Sequence, residues 1–354
     1  MKYILTAIIL LQLLLSHSAL AEDSIKVLMH PSPYAALPSD HAELVDSLKG
    51  RIFINGEFYS GELDILRDDK GLYVVNSVPF EKYIEGVVYS ELGKDWELEA
   101  LKAQAVISRT YARYYKNMNA GKNYHLTSSE LHQLYRNKNA GPIVRLAVRV
   151  TEDQVLSYNG EPIKAFYHST CEGKTELPNE VWGENYPYIQ SVSCNSNNSP
   201  FGNWQRRFTL DELQHALKIN AIEDIDIASY TQTGRVKTVQ LLLVASGDES
   251  LSYDISATRL RKLLGYSELP STKFSLKKAG EQIIFAGKGF GHGVGLSQWG
   301  ALAMARQGKN YREILSHYYP DTQLVSNEDL HYKAGTEKPQ GKKISAYQPW
   351  KLDK

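Results

Sequence analysis

The chain has 354 residues, 42% of them hydrophobic and 23% charged, the values of a globular protein with a sizeable core. Its 40 Lys and Arg balance 40 Asp and Glu, so no global field steers it toward nucleic acid or an anionic surface. The 23 tyrosines suit amphipathic ligands such as sugars, and they suit β-sheet packing equally.

Lys2 precedes an apolar run from Tyr3 to Leu15 and a small, polar stretch ending Ala19-Leu20-Ala21, the pattern of a cleavable secretory signal peptide over 1–21. The run is too short to cross about 30 Å of hydrocarbon as a helix, and no other stretch approaches the roughly 20 apolar residues a span needs. The expectation is an exported chain, periplasmic or secreted, with no integral membrane span once processed. In that compartment the two cysteines, Cys171 and Cys194, are first assigned to a disulfide.

From Arg51 to Val75 short alternating runs are broken by Asn55-Gly56 and Lys70-Gly71, which reads as hairpins. Pro79 opens a helical pattern with Phe80, Ile84, Val87 and Val88 on one stripe, ending near Gly93. A second helix follows, with Asp95 as its N-cap and Leu98, Leu101 and Ala105 in phase until about Tyr115. Arg145 to Tyr167 reads as β-structure with an Asn159-Gly160 turn, and Cys171 to Asn203 as a long loop, a kind that often carries function. Strands return at Val236 to Val244 and Gln282 to Phe285, around a short helix near Ala257 to Leu264. Two helices close the folded part, Gln298 to Arg306 and Tyr311 to Tyr318. Beyond His331 the chain is polar and basic with Pro and Gly, the composition of a disordered tail. The fold class expected is α+β: a β-rich mixed fold with a few helices around a substrate cleft.

Several nucleotide and nucleophile motifs fail on spacing. No register of Gly287-Lys-Gly-Phe-Gly-His-Gly-Val-Gly295 gives G-x-G-x-x-G, and Gly173-Lys174-Thr175 lacks the upstream glycine of a phosphate loop, where His168 stands. Gly295-Leu-Ser-Gln-Trp-Gly300 is one residue too long for a nucleophile elbow. What remains is a carboxylate in an unusual place. Glu91 falls three, four, seven and eleven residues after Val88, Val87, Ile84 and Phe80, on the apolar stripe of its helix. Partial burial there raises a carboxyl's pKa, as a general acid near neutral pH requires. The alternative is a helix-terminal glutamate that turns to water past Gly93. Glu81 and Glu85 fall off the stripe and read as solvated.

Five blocks in order then carry a resemblance. Val78-Pro-Phe-Glu-Lys-Tyr-Ile-Glu-Gly-Val-Val-Tyr-Ser-Glu-Leu92 is followed by Glu99-Ala-Leu-Lys-Ala-Gln-Ala-Val-Ile-Ser-Arg-Thr-Tyr-Ala112. Ala165-Phe-Tyr-His-Ser-Thr-Cys-Glu-Gly-Lys-Thr-Glu176 comes next, with Val181-Trp182 and Pro187-Tyr188, then Ser271-Thr-Lys-Phe274. Gly287 to Ala301 with Tyr318-Tyr-Pro320 ends the series. Together, from about Val78 to Leu324, they resemble the stage II sporulation protein D family, also called the SpoIID/LytB domain. The division that follows is a signal peptide over 1–21, an N-terminal β-hairpin region over 22–76, a SpoIID/LytB-like catalytic domain over 77–330 and a tail over 331–354.

The resemblance implies a lytic transglycosylase that cuts peptidoglycan glycan strands, preferring strands stripped of stem peptides, with Glu91 as catalytic acid. One carboxyl suffices for that chemistry, because the substrate's own C6 hydroxyl attacks the anomeric carbon and leaves a 1,6-anhydromuramoyl end, whereas a glycoside hydrolase needs a second carboxylate. Asp95 is more simply a cap. Candidate substrate-binding groups in the matching blocks are Gln104, Arg109 and Tyr111, then His168, Ser169 and Thr170, then Gly291, His292, Gly293, Ser297, Gln298 and Trp299. For Arg109 a buried ion pair is an equal alternative, and tight turns alone would explain the glycines. Some relatives bind zinc near His168 and Cys171, but the local ligand set is incomplete, so the expectation is no cofactor, with zinc through His168 and Cys171 as the lesser alternative to a disulfide. The partner expected is the glycan, with a cell-wall amidase as a second. Two rival functions stay open: a non-catalytic enhancer of a cell-wall amidase, and a two-carboxylate hydrolase.

Overall fold

The computed structural model describes residues 23–29, 37–39, 41–54, 57–129, 132–136, 140–196, 199–244 and 250–330. The expected signal peptide, the Asn55-Gly56 turn and the expected tail lie outside the described residues. Among those described, no helix is long and apolar enough to cross a membrane. The chain is a mixed α+β protein of two compact units, residues 1–90 with 115–139, and residues 91–114 with 140–354.

The first unit is built on a five-stranded sheet. Its strands are β1 (Ser24–Leu28), β2 (Glu43–Ile54), β3 (Glu57–Asp68), β4 (Gly71–Pro79) and β5 (Leu126–Thr127), in the order β2-β3-β4-β1-β5. The Lys70-Gly71 turn is present, and the Asp68 carboxylate accepts from both backbone N–H groups there, at 2.8 and 3.2 Å. Leu28, Leu66 and Val75 bury one face with Ala42, Tyr73 and Tyr124. β4 runs without a loop into helix α1 (Phe80–Leu92): Pro79 ends the strand, and Phe80 N–H, the first orphan donor of the helix, bonds Asp23 O at 2.8 Å. The stripe Phe80, Ile84, Val87 and Val88 is buried as its 3.6-residue period requires. Gly86 is needed because a Cβ would stand 2.8 Å from the Tyr135 ring and 2.9 Å from Arg136 O.

Helix α2 (Leu98–Met118) starts three residues later than the expected cap at Asp95 and runs three past the expected end. Gly93, at φ +76°, ends α1 in the left-handed region, and Lys94 to Trp96 form a bend. The first bond of α2 is then Leu101 N–H to Glu97 O, which leaves Asp95 outside it.

A second correction concerns Arg145 onward. The β reading fails there because helix α3 (Gly141–Val150) comes first, with Val144, Ala147 and Val148 buried at i, i+3 and i+4. Burial on a helical stripe overrides the strand preference of the β-branched residues. Strands follow as β6 (Gln154–Tyr158), β7 (Glu161–Pro162) and β8 (Tyr167–His168). The expected long loop contains β9 (Gly173–Lys174), α4 (Pro178–Trp182) and β10 (Ser193–Cys194), with β9 paired to β10.

The remaining elements are β11 (Trp204–Thr209), α5 (Leu210–Leu217), β12 (Ile222–Tyr230), β13 (Val236–Val244), β14 (Ser250–Ser256), α6 (Ala257–Leu264), β15 (Phe274–Ala279) and β16 (Gln282–Gly287). After them come β17 (Leu296–Ser297), α7 (Gln298–Arg306), α8 (Tyr311–Tyr318) and β18 (Gln323–Ser326). Two cores organise the second unit. One gathers Leu213, Val239, Leu241, Ile255, Leu260 and Phe285 between the β12-β13-β14 and β11-β16-β15 sheets and their helices. The other packs Ala103, Val106 and Ile107 of α2 with Phe166, Val294, Leu296, Leu315 and Tyr318. At its centre β8 lies parallel to β17, Tyr167 beside Leu296 and His168 beside Ser297.

Candidate functional site

Glu91 is half-buried near the end of α1, and both its oxygens accept hydrogen bonds from groups far along the chain. The Tyr167 hydroxyl donates to Oε1 at 3.0 Å, and the Gln298 side-chain amide donates to Oε2 at 3.1 Å. Each donor is placed by a short, well-fixed element. On β8 successive side chains alternate, so while His168 is buried, Tyr167 points the other way. The edge of the Tyr111 ring packs on it, with ring centroids 6.5 Å apart.

Gln298 is the first residue of α7, and Ser297 is its N-cap, accepting from Gly300 N–H at 3.2 Å. The same hydroxyl accepts from Cys171 N–H at 3.2 Å and faces Ser169 O at 3.3 Å. Trp299 N–H adds a bond to Ser169 O at 3.0 Å. The start of α7 is thus pinned to the Ser169–Cys171 segment by three bonds, two of them through the Ser297 hydroxyl. Gln104 supports the amide from behind, its Oε1 3.5 Å from Gln298 Nε2 and its Nε2 donating to Ser108 at 3.1 Å. Trp299 also meets Trp96 of the α1–α2 bend, ring centroids 5.2 Å apart.

The other sequence candidates divide by burial. Thr170 is inaccessible and bridges to Phe290. His168 is held through Nδ1 at 3.1 Å from Val294 O, and His292 Nδ1 accepts from Val294 N–H at 3.0 Å. His292 packs among Trp182, Phe166 and His168. Burial, then the charge of Arg261, pulls its pKa down to about 3, and burial pulls His168 well below the usual histidine range. Both rings are therefore neutral near pH 7. Gly291 and Gly293 have positive φ, and a Cβ on either would strike His168 or Arg235 at 2.7 Å.

Arg109 is corrected from ligand to scaffold. It is 0% exposed and directs its guanidinium to Gln154 O at 3.1 Å and Val148 O at 3.3 Å, joining α3 to β6. The structure also lacks the expected disulfide: Cys171 and Cys194 are both buried as free thiols. The contact with Cys171, together with Ser297, Ser196 and Tyr318, lowers the Cys194 thiol, while the same contact and burial push Cys171 up. Among the described residues no three His, Cys, Asp or Glu side chains are grouped to hold a metal ion. Tyr167 and Trp96 were missing from the sequence candidates. Tyr167 lies inside a matching block, one residue before His168, and period-two alternation was the signal available for it.

Glu91 is thus held at both its oxygens by a phenol and an amide, in a chain of α+β architecture. The chain belongs to the stage II sporulation protein D family. The family model "Stage II sporulation protein" matches residues 68–158, and a domain of unknown function (DUF8618) matches residues 190–295. The chain is 32% identical over 267 residues to the Stage II sporulation protein D of Bacillus subtilis, covering 71% of this chain and 75% of that one. An uncharacterised protein of Brachyspira hyodysenteriae is 34% identical over 279 residues, 77% of this chain and 73% of its own. The Amidase enhancer of Bacillus subtilis is 30% identical over 291 residues, and there the match spans 69% of this chain but 40% of the relative.

Proposed function

We propose that this protein is exported and cuts the glycan strands of peptidoglycan as a lytic transglycosylase, with Glu91 as its single acid and base. The observation that supports this most is the double grip on that carboxyl by Tyr167 and Gln298. A carboxyl fixed in both its oxygens is a positioned proton carrier, and proton transfer is the one task the lytic route asks of the protein. Glu91 gives its proton to the glycosidic oxygen as the C1–O bond breaks. The substrate's C6 hydroxyl oxygen bonds to C1, and its proton passes to Glu91, which restores the acid and consumes no water.

Tyr167 fits both halves of this cycle, because a phenol donates to the carboxylate and, turned about its C–O bond, accepts from the carboxylic acid. Trp96 and Trp299 offer aromatic faces on which sugar rings stack. The substrate expected is glycan stripped of stem peptides. Mass spectrometry of products from such strands tests the reading: the processed wild-type chain releases 1,6-anhydro ends and Glu91→Gln releases none. Full activity in Glu91→Gln overturns the mechanism.

The 30% identity to the amidase enhancer favours a second reading, in which the chain binds glycan or a cell-wall amidase without cutting. Recovery of intact strands bound to the wild-type chain, with no new ends, selects it.

A further inference from the structure

Arg235 lies between the Thr231–Gly234 turn and the first residue of β13, Val236, and is 1% exposed. Its Nε, Nη1 and Nη2 are all closed off from solvent, and none has a hydrogen-bond partner among the described residues. A guanidinium carries five N–H donors and keeps its proton in proteins, so neither tautomerism nor deprotonation relieves it. A buried charge without a partner is among the costliest features a fold can hold.

The surroundings add positive charge. Arg235 and Arg261 both disfavour protonation of His168 and His292, and Arg235 does the same to Lys273. Glu176 ties down the turn before Arg235, but its oxygens are engaged elsewhere. Oε1 accepts from Leu177 N–H at 2.8 Å, and Oε2 accepts from the Thr231 hydroxyl at 2.7 Å and from that of Thr233. One side of the guanidinium rests on Gly293, where a Cβ would come within 2.7 Å of Cζ. Glycine there, at φ +86°, lets the main chain itself form the wall of the Arg235 site.

We propose that Arg235 is the seat of a buried anion site, taking one small, free, singly charged anion of chloride size on its unpartnered Nε, Nη1 and Nη2. A small free ion is indicated because a group attached to a polymer cannot reach nitrogens so enclosed. The site stands apart from the reaction at Glu91 and does not depend on it. A rival arrangement satisfies the same nitrogens without charge: a water joining them to Nε2 of His168, which also lacks a partner. Anion dependence separates the two.

Thermal unfolding of the purified chain in chloride, against gluconate at matched ionic strength, is the first measurement. Linkage predicts a midpoint rising by about 2–4 °C per tenfold increase in chloride once the site is filling, and no rise in gluconate. Arg235→Met removes the chloride dependence. Crystals of the wild-type chain grown in bromide give the second measurement, independent of whether the variant folds, through an anomalous peak at the guanidinium. Equal midpoints in chloride and gluconate, a chloride response that survives in Arg235→Met, or bromide crystals without that peak each overturn the proposal.

Discussion

Gln298 lies 207 residues beyond Glu91 in the chain and places its amide nitrogen 3.1 Å from the carboxyl Oε2. That contact exists because Ser297 caps α7 and bonds the Cys171 backbone at the same time, so the helix start cannot rotate away from the glutamate. Positioning of this kind is energetic as well as geometric, since a hydrogen bond to a charged group contributes about 1.5–3 kcal/mol.

Gln298→Ala and Tyr167→Phe are therefore expected to lower kcat/KM on stripped glycan by about 10- to 100-fold each, the kinetic equivalent of one such bond. The double variant should fall short of the product of the two, because both donors orient one carboxyl. Product release over time, with thermal midpoints near wild type, checks the expectation. Unchanged rates in both single variants would remove the carboxyl grip from the mechanism.

Two glycines with similar φ should respond oppositely to alanine. Gly295, at φ +70°, has Phe166 O only 2.0 Å from where a Cβ would stand, whereas Gly308, at φ +84°, has nothing within 4 Å. Gly308→Ala bears only the left-handed backbone cost of about 1 kcal/mol. Gly295→Ala must also push β8 from β17, and a loss of roughly 3 kcal/mol or more is expected in denaturant unfolding.

Acid should destabilise the fold through its histidines. His292 and His125 titrate near 3 and 4 in the folded chain because burial disfavours their charged forms, but near the ordinary 6.5 when unfolded. Below pH 6.5 the unfolded state then binds more protons, so stability is full above that pH and falls as pH drops from about 6.5 toward 3. Unfolding curves across that range should show the slope, and His292→Phe should flatten it. A slope that appears only above pH 7 would contradict the assignment.

Local pattern was enough for much of this molecule. The stripe of α1 showed Glu91 on an inward line, and the expected spans of α6, α7 and α8 match the helices found, because helix limits depend on neighbours within one or two turns. α3 escaped the reading, since Val144, Ala147 and Val148 fit a strand or a helix until one knows what covers them. The start of α2 escaped too: Asp95 has the chemistry of a cap, but the bend after Gly93 carries it past the place where capping occurs.

The site divides in the same way. By itself the sequence determined that a carboxylate sits at the end of an apolar helical stripe and that a serine precedes Gln298 at a helix start. Only the tertiary structure decided that Tyr167 and Gln298 converge on that carboxylate, that Arg109 is spent on backbone carbonyls, and that Cys171 and Cys194 meet as thiols. The reason is range. Helical periods and caps are set by bonds three or four residues long, whereas β8 and β17 find each other across more than a hundred residues, through a shared core that no local pattern encodes.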